Sequence, residues 1–171
     1  VYKRQVNEYY EKGSFPVDLI PKMGELGFLG ATLPKKYGGS EISNTAYGLI
    51  MQELEKGDSG LRSVCSVQGG LVMYPIFQYG TEEQKDKWLP KLASGEAVGC
   101  FGLTESNHGS DPGGMTTKAV KDGDDWIING SKMWITNGTV ADVAVVWAKD
   151  EEGIVCLLYT SPSPRALSSS R

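Results

Sequence analysis

One histidine, His108, is present in the chain, and it stands between Asn107 and the run Gly109-Ser110-Asp111. A Ser-His-Asp or Cys-His site would have to be built on it, yet its neighbours are turn formers and form no nucleophile elbow. A lone loop histidine is more simply structural or solvent-facing. Cys65, Cys100 and Cys156 are odd in number, widely spaced and without a CxxC, so they indicate neither a disulfide framework nor a zinc site and favour a reducing compartment. GxGxxG after a strand and GxxxxGK[ST] are both lacking, so any nucleotide cofactor is held by other means. The most unusual stretch is 104–114, where hydroxyls, amides, three glycines and Pro112 crowd one loop. Glycine lets a ligand approach backbone N–H groups, and small hydroxyls add donors and acceptors, which suits a polar heterocycle or a phosphate. An ordinary long hairpin is the alternative.

Arg62 is a second candidate. It lies in an otherwise apolar helical stretch and needs an anionic partner. A guanidinium can grip a carboxylate bidentately, helped by a hydroxyl such as that of Ser66, whereas a structural pair with Glu53, Glu55 or Asp58 would also satisfy it.

The elements that must position these residues change character near Ala97. Before it the pattern is helical: apolar spacing over 17–26 closed by Gly27, a loop over 30–39, and a helix capped by Ser43 or Asn44. Asp58 and Ser59 cap an apolar helix over 61–79 that Pro75 could break, and Thr81-Glu82-Glu83-Gln84 is a capping box opening a helix to about Leu92. After Ala97, segments 98–103, 116–120, 126–129, 132–136 and 143–147 read as short strands, with Asn129-Gly130 as a tight hairpin signal. The fold class is α+β, a helical domain over 6–96 followed by an antiparallel, barrel-like β-domain over 97–155. On burial preference alone, Trp126, Trp134 and Trp147 would belong to that barrel's core.

With 40% apolar and 22% charged residues among 171, the balance is that of a globular protein. No apolar run approaches the roughly 20 residues of a spanning helix, and the net charge of -4 gives no basic footprint, so neither membrane insertion nor nucleic-acid binding is expected. Residues 1–5 can be written in codons whose reverse complement, read one base in, encodes Cys-Leu-Leu-Tyr-Thr, the sequence of 156–160. That inverted relation is what a sequencing adapter at both ends of a DNA fragment would leave, so 1–5 and 156–171 are expected to be non-native. A Ser/Pro-rich linker is the alternative for the tail.

The strings FGLTE, NHGSD and GSKMWITN, in order, closely resemble the flavin-binding signature of the acyl-CoA dehydrogenase family. The similarity extends over 6–155, with Ser106 where the family usually has proline. The resemblance implies a helical domain, a middle β-domain and a C-terminal helical bundle that this chain lacks, with FAD between the latter two. It further implies that Phe101, Gly102, Leu103, Thr104, Glu105 and Ser110 line the pyrimidine side of the flavin, with Ser110 also reaching the thioester. Trp134, Ile135 and Thr136 would pack on the other side, with Thr136 near N5. The segment Asp58-Ser59-Gly60-Leu61-Arg62-Ser63 with Ser66-Val67-Gln68 looks like the part of glutaryl-CoA dehydrogenases that recognises the distal carboxylate, which assigns Arg62, Ser63 and Ser66 to substrate. The activity implied by the resemblance is oxidative decarboxylation of glutaryl-CoA to crotonyl-CoA, with electron-transfer flavoprotein as acceptor and a homotetrameric parent. The parent would reside in the bacterial cytoplasm or the mitochondrial matrix. The family's base glutamate would lie in the absent bundle, so no catalytic residue and no metal ligand is assigned. The alternatives are a dehydrogenase of a monoacid acyl-CoA and a non-catalytic acyl-CoA-binding relative.

Overall fold

Local end signals place most of the helices. In the computed structural model, which describes residues 2–160 and the side chains from Asn7 onward, α1 (Tyr2–Glu11) is followed by α2 (Leu19–Glu25). Pro21 falls in the first turn of α2, where its missing N–H is tolerated. A 3-10 turn (Lys35–Tyr37) interrupts the long loop before α3 (Asn44–Gly57). The Ser43 hydroxyl accepts from the Ala46 amide at 3.2 Å, and the Asp58 carboxylate accepts from the Leu61 amide at 2.8 Å to start α4 (Ser59–Ser66). Thr81 and Gln84 form the capping box of α6 (Glu82–Ser94), with reciprocal bonds of 3.2 and 3.0 Å.

The helix expected over 61–79 is not uniform. Its middle, Val67–Met73, is wound as a π-helix, and α5 (Tyr74–Tyr79) follows without a break, carrying Pro75 in its first turn. A proline ring strikes the carbonyl four residues back, and the wider π turns ahead of Pro75 absorb that conflict, so the chain shifts register instead of stopping. Gln68, fully buried in the π segment, donates from Nε2 to the carbonyls of Leu92 at 2.9 Å and Ala97 at 2.8 Å. Ile20, Leu29, Cys65, Val72, Met73, Leu89 and Leu92 are almost wholly buried in this first unit, which ends at Ala97.

The second unit begins at Val98. Strand β1 (Gly99–Gly102) pairs in parallel with β4 (Val143–Lys149), from Gly99↔Val143 to Gly102↔Val146. β2 (Lys118–Asp122) and β3 (Asp125–Asn129) form an antiparallel hairpin, and β2 meets β4 in parallel at Lys118↔Lys149. β5 (Ile154–Tyr159) runs antiparallel to β4. The sheet is therefore mixed, a correction to the antiparallel barrel read from the sequence. Residues 103–142 separate β1 from β4, far more than the dozen or so that a parallel return requires.

Two further expectations are corrected. The hairpin turn is Gly123-Asp124, with Gly123 at φ +62°, a conformation natural to glycine in a two-residue turn. Asn129-Gly130 does not reverse the chain: Gly130 passes so close to Thr117 that a Cβ would collide with that side chain. Residues 132–136 form no strand, and Trp134 at φ +60° and Asn137 at φ +67° break the extended path. Of the terminal segments expected to be foreign, residue 1 and 161–171 lie outside the described residues, while β5 continues across the boundary set at 155. Among the described residues no helix is long and apolar enough to cross a membrane.

Candidate functional site

The second unit brings two separated stretches together. Met133 donates its amide to the Thr104 carbonyl at 2.8 Å, and Lys132 Nζ donates to the Leu103 carbonyl at 3.1 Å. Asn137 Nδ2 donates to the Gly99 carbonyl at 3.0 Å. Residues 132–137 are thus laced along the strand β1 and its exit, by side chains and single amides instead of a ladder. Within the laced segment the side chains alternate. Ile135 packs inward against the buried cluster of Cys100, Ala141, Ala144 and Val146, while Thr136 is exposed and Trp134 stands 86% exposed. Trp134 is therefore no core residue, although Trp147 packs edge-on to Phe101 with ring centroids 6.2 Å apart. Gly102 is buried, Leu103 and Thr104 are half-buried, and Ser110 is exposed on the loop.

Glu105 differs from the other residues of its group. Its side chain is 4% exposed, and its carboxylate accepts from the Thr116 amide at 2.7 Å, the Thr116 hydroxyl at 2.8 Å, the Thr117 amide at 2.9 Å and Lys132 Nζ at 2.9 Å. Burial alone would push the Glu105 carboxyl up; the Thr116 hydroxyl, the Thr116 and Thr117 amides and Lys132 outweigh it and hold the group well below the usual carboxylate range. Its backbone is also engaged, exchanging bonds with His108 at 3.2 and 3.1 Å, so His108 closes a tight turn. Glu105 is therefore spent inside the protein. Sequence reasoning gives Lys132 no role, although it lies within the GSKMWITN string; the signal for one is a lysine in a run that alternates like a half-buried strand.

In the first unit, Arg62 on α4 donates from Nε to Glu55 Oε2 on α3 at 2.6 Å and from Nη1 to Ser66 Oγ at 3.4 Å. Ser59 donates to the same Glu55 carboxylate at 2.6 Å, and Arg62 followed by Ser59 holds that carboxyl below its ordinary range. Ser66 also donates to the Ser63 carbonyl at 3.0 Å, which places Arg62, Ser63 and Ser66 together on one helix. Burial pushes the Cys65 thiol up to about 12 and the Cys100 thiol up to about 11, so neither is a ready nucleophile. Among the described residues no group of three or more His, Cys, Asp or Glu side chains could hold a metal ion.

An exposed indole on a segment laced to the strand that carries Phe101, next in the chain to a hydroxyl-rich loop, fits a planar heterocyclic cofactor. Comparison with known proteins agrees. A solved structure of glutaryl-CoA dehydrogenase from Mycobacterium smegmatis is 55% identical, covering 95% of this chain and 42% of that one with a TM-score of 0.91. A structure of a glutaryl-CoA dehydrogenase from Mycobacterium smegmatis in complex with FADH2 is 52% identical, covering 95% of this chain and 42% of that one, also with a TM-score of 0.91. "Probable acyl-CoA dehydrogenase YngJ" of Bacillus subtilis (strain 168) is 44% identical over 155 residues, covering 86% of this chain and 40% of its own length. The human mitochondrial short-chain specific acyl-CoA dehydrogenase is 38% identical over 155 residues, covering 88% of this chain and 38% of its own. The chain thus spans about two fifths of the relatives it matches. The model of the acyl-CoA dehydrogenase N-terminal domain matches residues 1–96 and that of the middle domain residues 100–170, and members of the family use FAD. A helical unit and a mixed-sheet unit in this order, with the laced wall in the second, are those two domains: the chain belongs to the acyl-CoA dehydrogenase family.

Proposed function

We propose that this chain is part of an FAD-dependent dehydrogenase that oxidises glutaryl-CoA at the α,β position and decarboxylates the product to crotonyl-CoA. The observation that carries the substrate is Arg62 standing over Ser66 on α4, a guanidinium with a hydroxyl beside it in a stretch whose next turn is apolar. A distal carboxylate needs such a pair, because charge-assisted bonds are the strong ones and guanidinium geometry matches carboxylate. Trp134 would offer an apolar face to the flavin, Thr136 a hydroxyl to its ring, and Phe101 to Thr104 with Ser110 would hold its polar edge. FAD, when bound there, supplies the acceptor for the hydride leaving the β-carbon. Electron-transfer flavoprotein is the proposed acceptor of those electrons, and the parent protein a homotetramer.

The family's base glutamate matches no position in this chain, so the 171-residue polypeptide has no turnover of its own and holds FAD weakly. Calorimetric binding of glutaryl-CoA and butyryl-CoA to the wild type and to Arg62→Ala tests the substrate. The loss expected is about tenfold for the diacid and under about twofold for the monoacid. An equal loss for both sinks the diacid reading. The Glu55 carboxylate beside Arg62 supports a second reading, a monoacid chain, since it already balances the guanidinium without substrate; that reading expects the equal, small effect.

A further inference from the structure

We propose that Glu105 and Lys132 are positioning residues, whose buried pair fixes where Trp134 and Thr136 stand relative to Phe101 and Thr104. The inference rests on the flavin reading only for its purpose, not for its geometry. Glu105 joins three pieces of chain: its own position at the exit of β1, Thr116 and Thr117 at the entry to β2, and Lys132 at the start of the laced segment. Lys132 in turn grips the exit of β1 twice, through the Leu103 carbonyl and the Glu105 carboxylate, one residue before the Met133 amide bonds Thr104. The two side chains are 5% and 4% exposed.

Taking two charges out of water yields no more stability than packing two apolar groups of the same volume, so what distinguishes this pair is direction. A carboxylate with four donors fixed around it, and an ammonium with two acceptors, admit one arrangement of the three segments. Ile135 holds the segment down by packing; an apolar contact leaves room for rotation and sliding that the polar pair removes. The exposed side chains on either side of Ile135 then share one orientation.

The test uses the 171-residue chain without cofactor. In the double variant Glu105→Gln with Lys132→Met no uncompensated buried charge remains, so a folded protein is expected where Lys132→Met alone could unfold. Amide hydrogen exchange, read residue by residue, should accelerate at least about tenfold at Met133 and Gly138 while β1, β4 and α6 keep wild-type rates. Wild-type rates at Met133 and Gly138 would overturn the proposal. Uniform acceleration across the unit would also overturn it, since that marks a merely structural pair. Titration of the wild type with FAD, carried to high concentration because this chain holds it weakly and followed by tryptophan quenching, decides the flavin reading separately: no quenching even at the highest concentration removes the purpose, and the exchange data still decide the positioning.

Discussion

Arg62 Nε and Glu55 Oε2 lie 2.6 Å apart where α3 hands over to α4, so the cation assigned to a substrate carboxylate already faces one from the protein. A second anion arriving at Arg62 is repelled by Glu55 as well as attracted by the guanidinium. Glu55→Gln removes the repulsion and keeps the shape. Glutaryl-CoA should then bind about two- to fivefold more tightly by calorimetry, with butyryl-CoA unchanged. Both partners are roughly half exposed, so the urea midpoint should not move measurably.

Trp134 and Ile135 are adjacent and face opposite ways, which separates binding from stability. Trp134→Ala should alter unfolding free energy by no more than about 0.5 kcal/mol, because the indole is 86% exposed, yet should lose FAD-induced quenching. Ile135→Ala empties part of the cluster around Cys100 and should cost about 2 kcal/mol in urea denaturation.

Lys132→Met strands a buried carboxylate and should destabilise the second unit by about 3–5 kcal/mol, the range for breaking a buried pair from one side. Adding Glu105→Gln should recover most of it. Equilibrium unfolding of wild type, single and double variants measures both, and a double variant as unstable as the single would contradict the desolvation account.

Glu105 also sets an acid limb. Its folded pKa is depressed, so its contribution is complete above the ordinary carboxylate value of about 4.3 and is lost as pH falls below it toward the folded value. The double variant Glu105→Gln with Lys132→Met, which leaves no buried charge unpaired, should flatten the fall of stability below about pH 4 and leave its slope near neutrality unchanged, as read from urea midpoints across that range.

Gln68→Leu keeps the volume of a fully buried side chain but leaves the carbonyls of Leu92 and Ala97 without its amide, at a cost of about 1–3 kcal/mol. The loss should appear in the first unit, and a differential-scanning trace resolving two transitions would assign it.

What is legible in the sequence is what is decided locally. The caps at Ser43, Asp58 and Thr81 need only a side chain and an amide three residues away, and each holds in the structure. The shift from helix to strand at Ala97 is legible for the same reason, as a change of period. Strand partners are not: that β4 takes β1 in parallel depends on where the chain returns after 40 intervening residues, 103–142. Residues 132–136 mislead because Ile135 does point inward between two exposed neighbours, as in a strand, while the amides and side chains that hold the segment bond β1 singly. Arg62 has three nearby carboxylates to choose from, and only the crossing of α3 and α4 selects Glu55. Glu105 sits in a motif that resemblance assigns to the flavin, and its burial against Thr116, Thr117 and Lys132 is a long-range fact that no neighbour in sequence announces.

The parallel pairing of β1 with β4 has a consequence for the order of folding. Gly102 and Val146 can meet only after the intervening chain has been closed into a loop, and the entropy of that closure must be met before the pairing returns anything. The β2–β3 hairpin and the β4–β5 pair close over a few residues and can form early. Trp134 and the lacing that holds it lie inside the slow loop, so the wall for the cofactor is assembled last, after the strands that frame it have found each other.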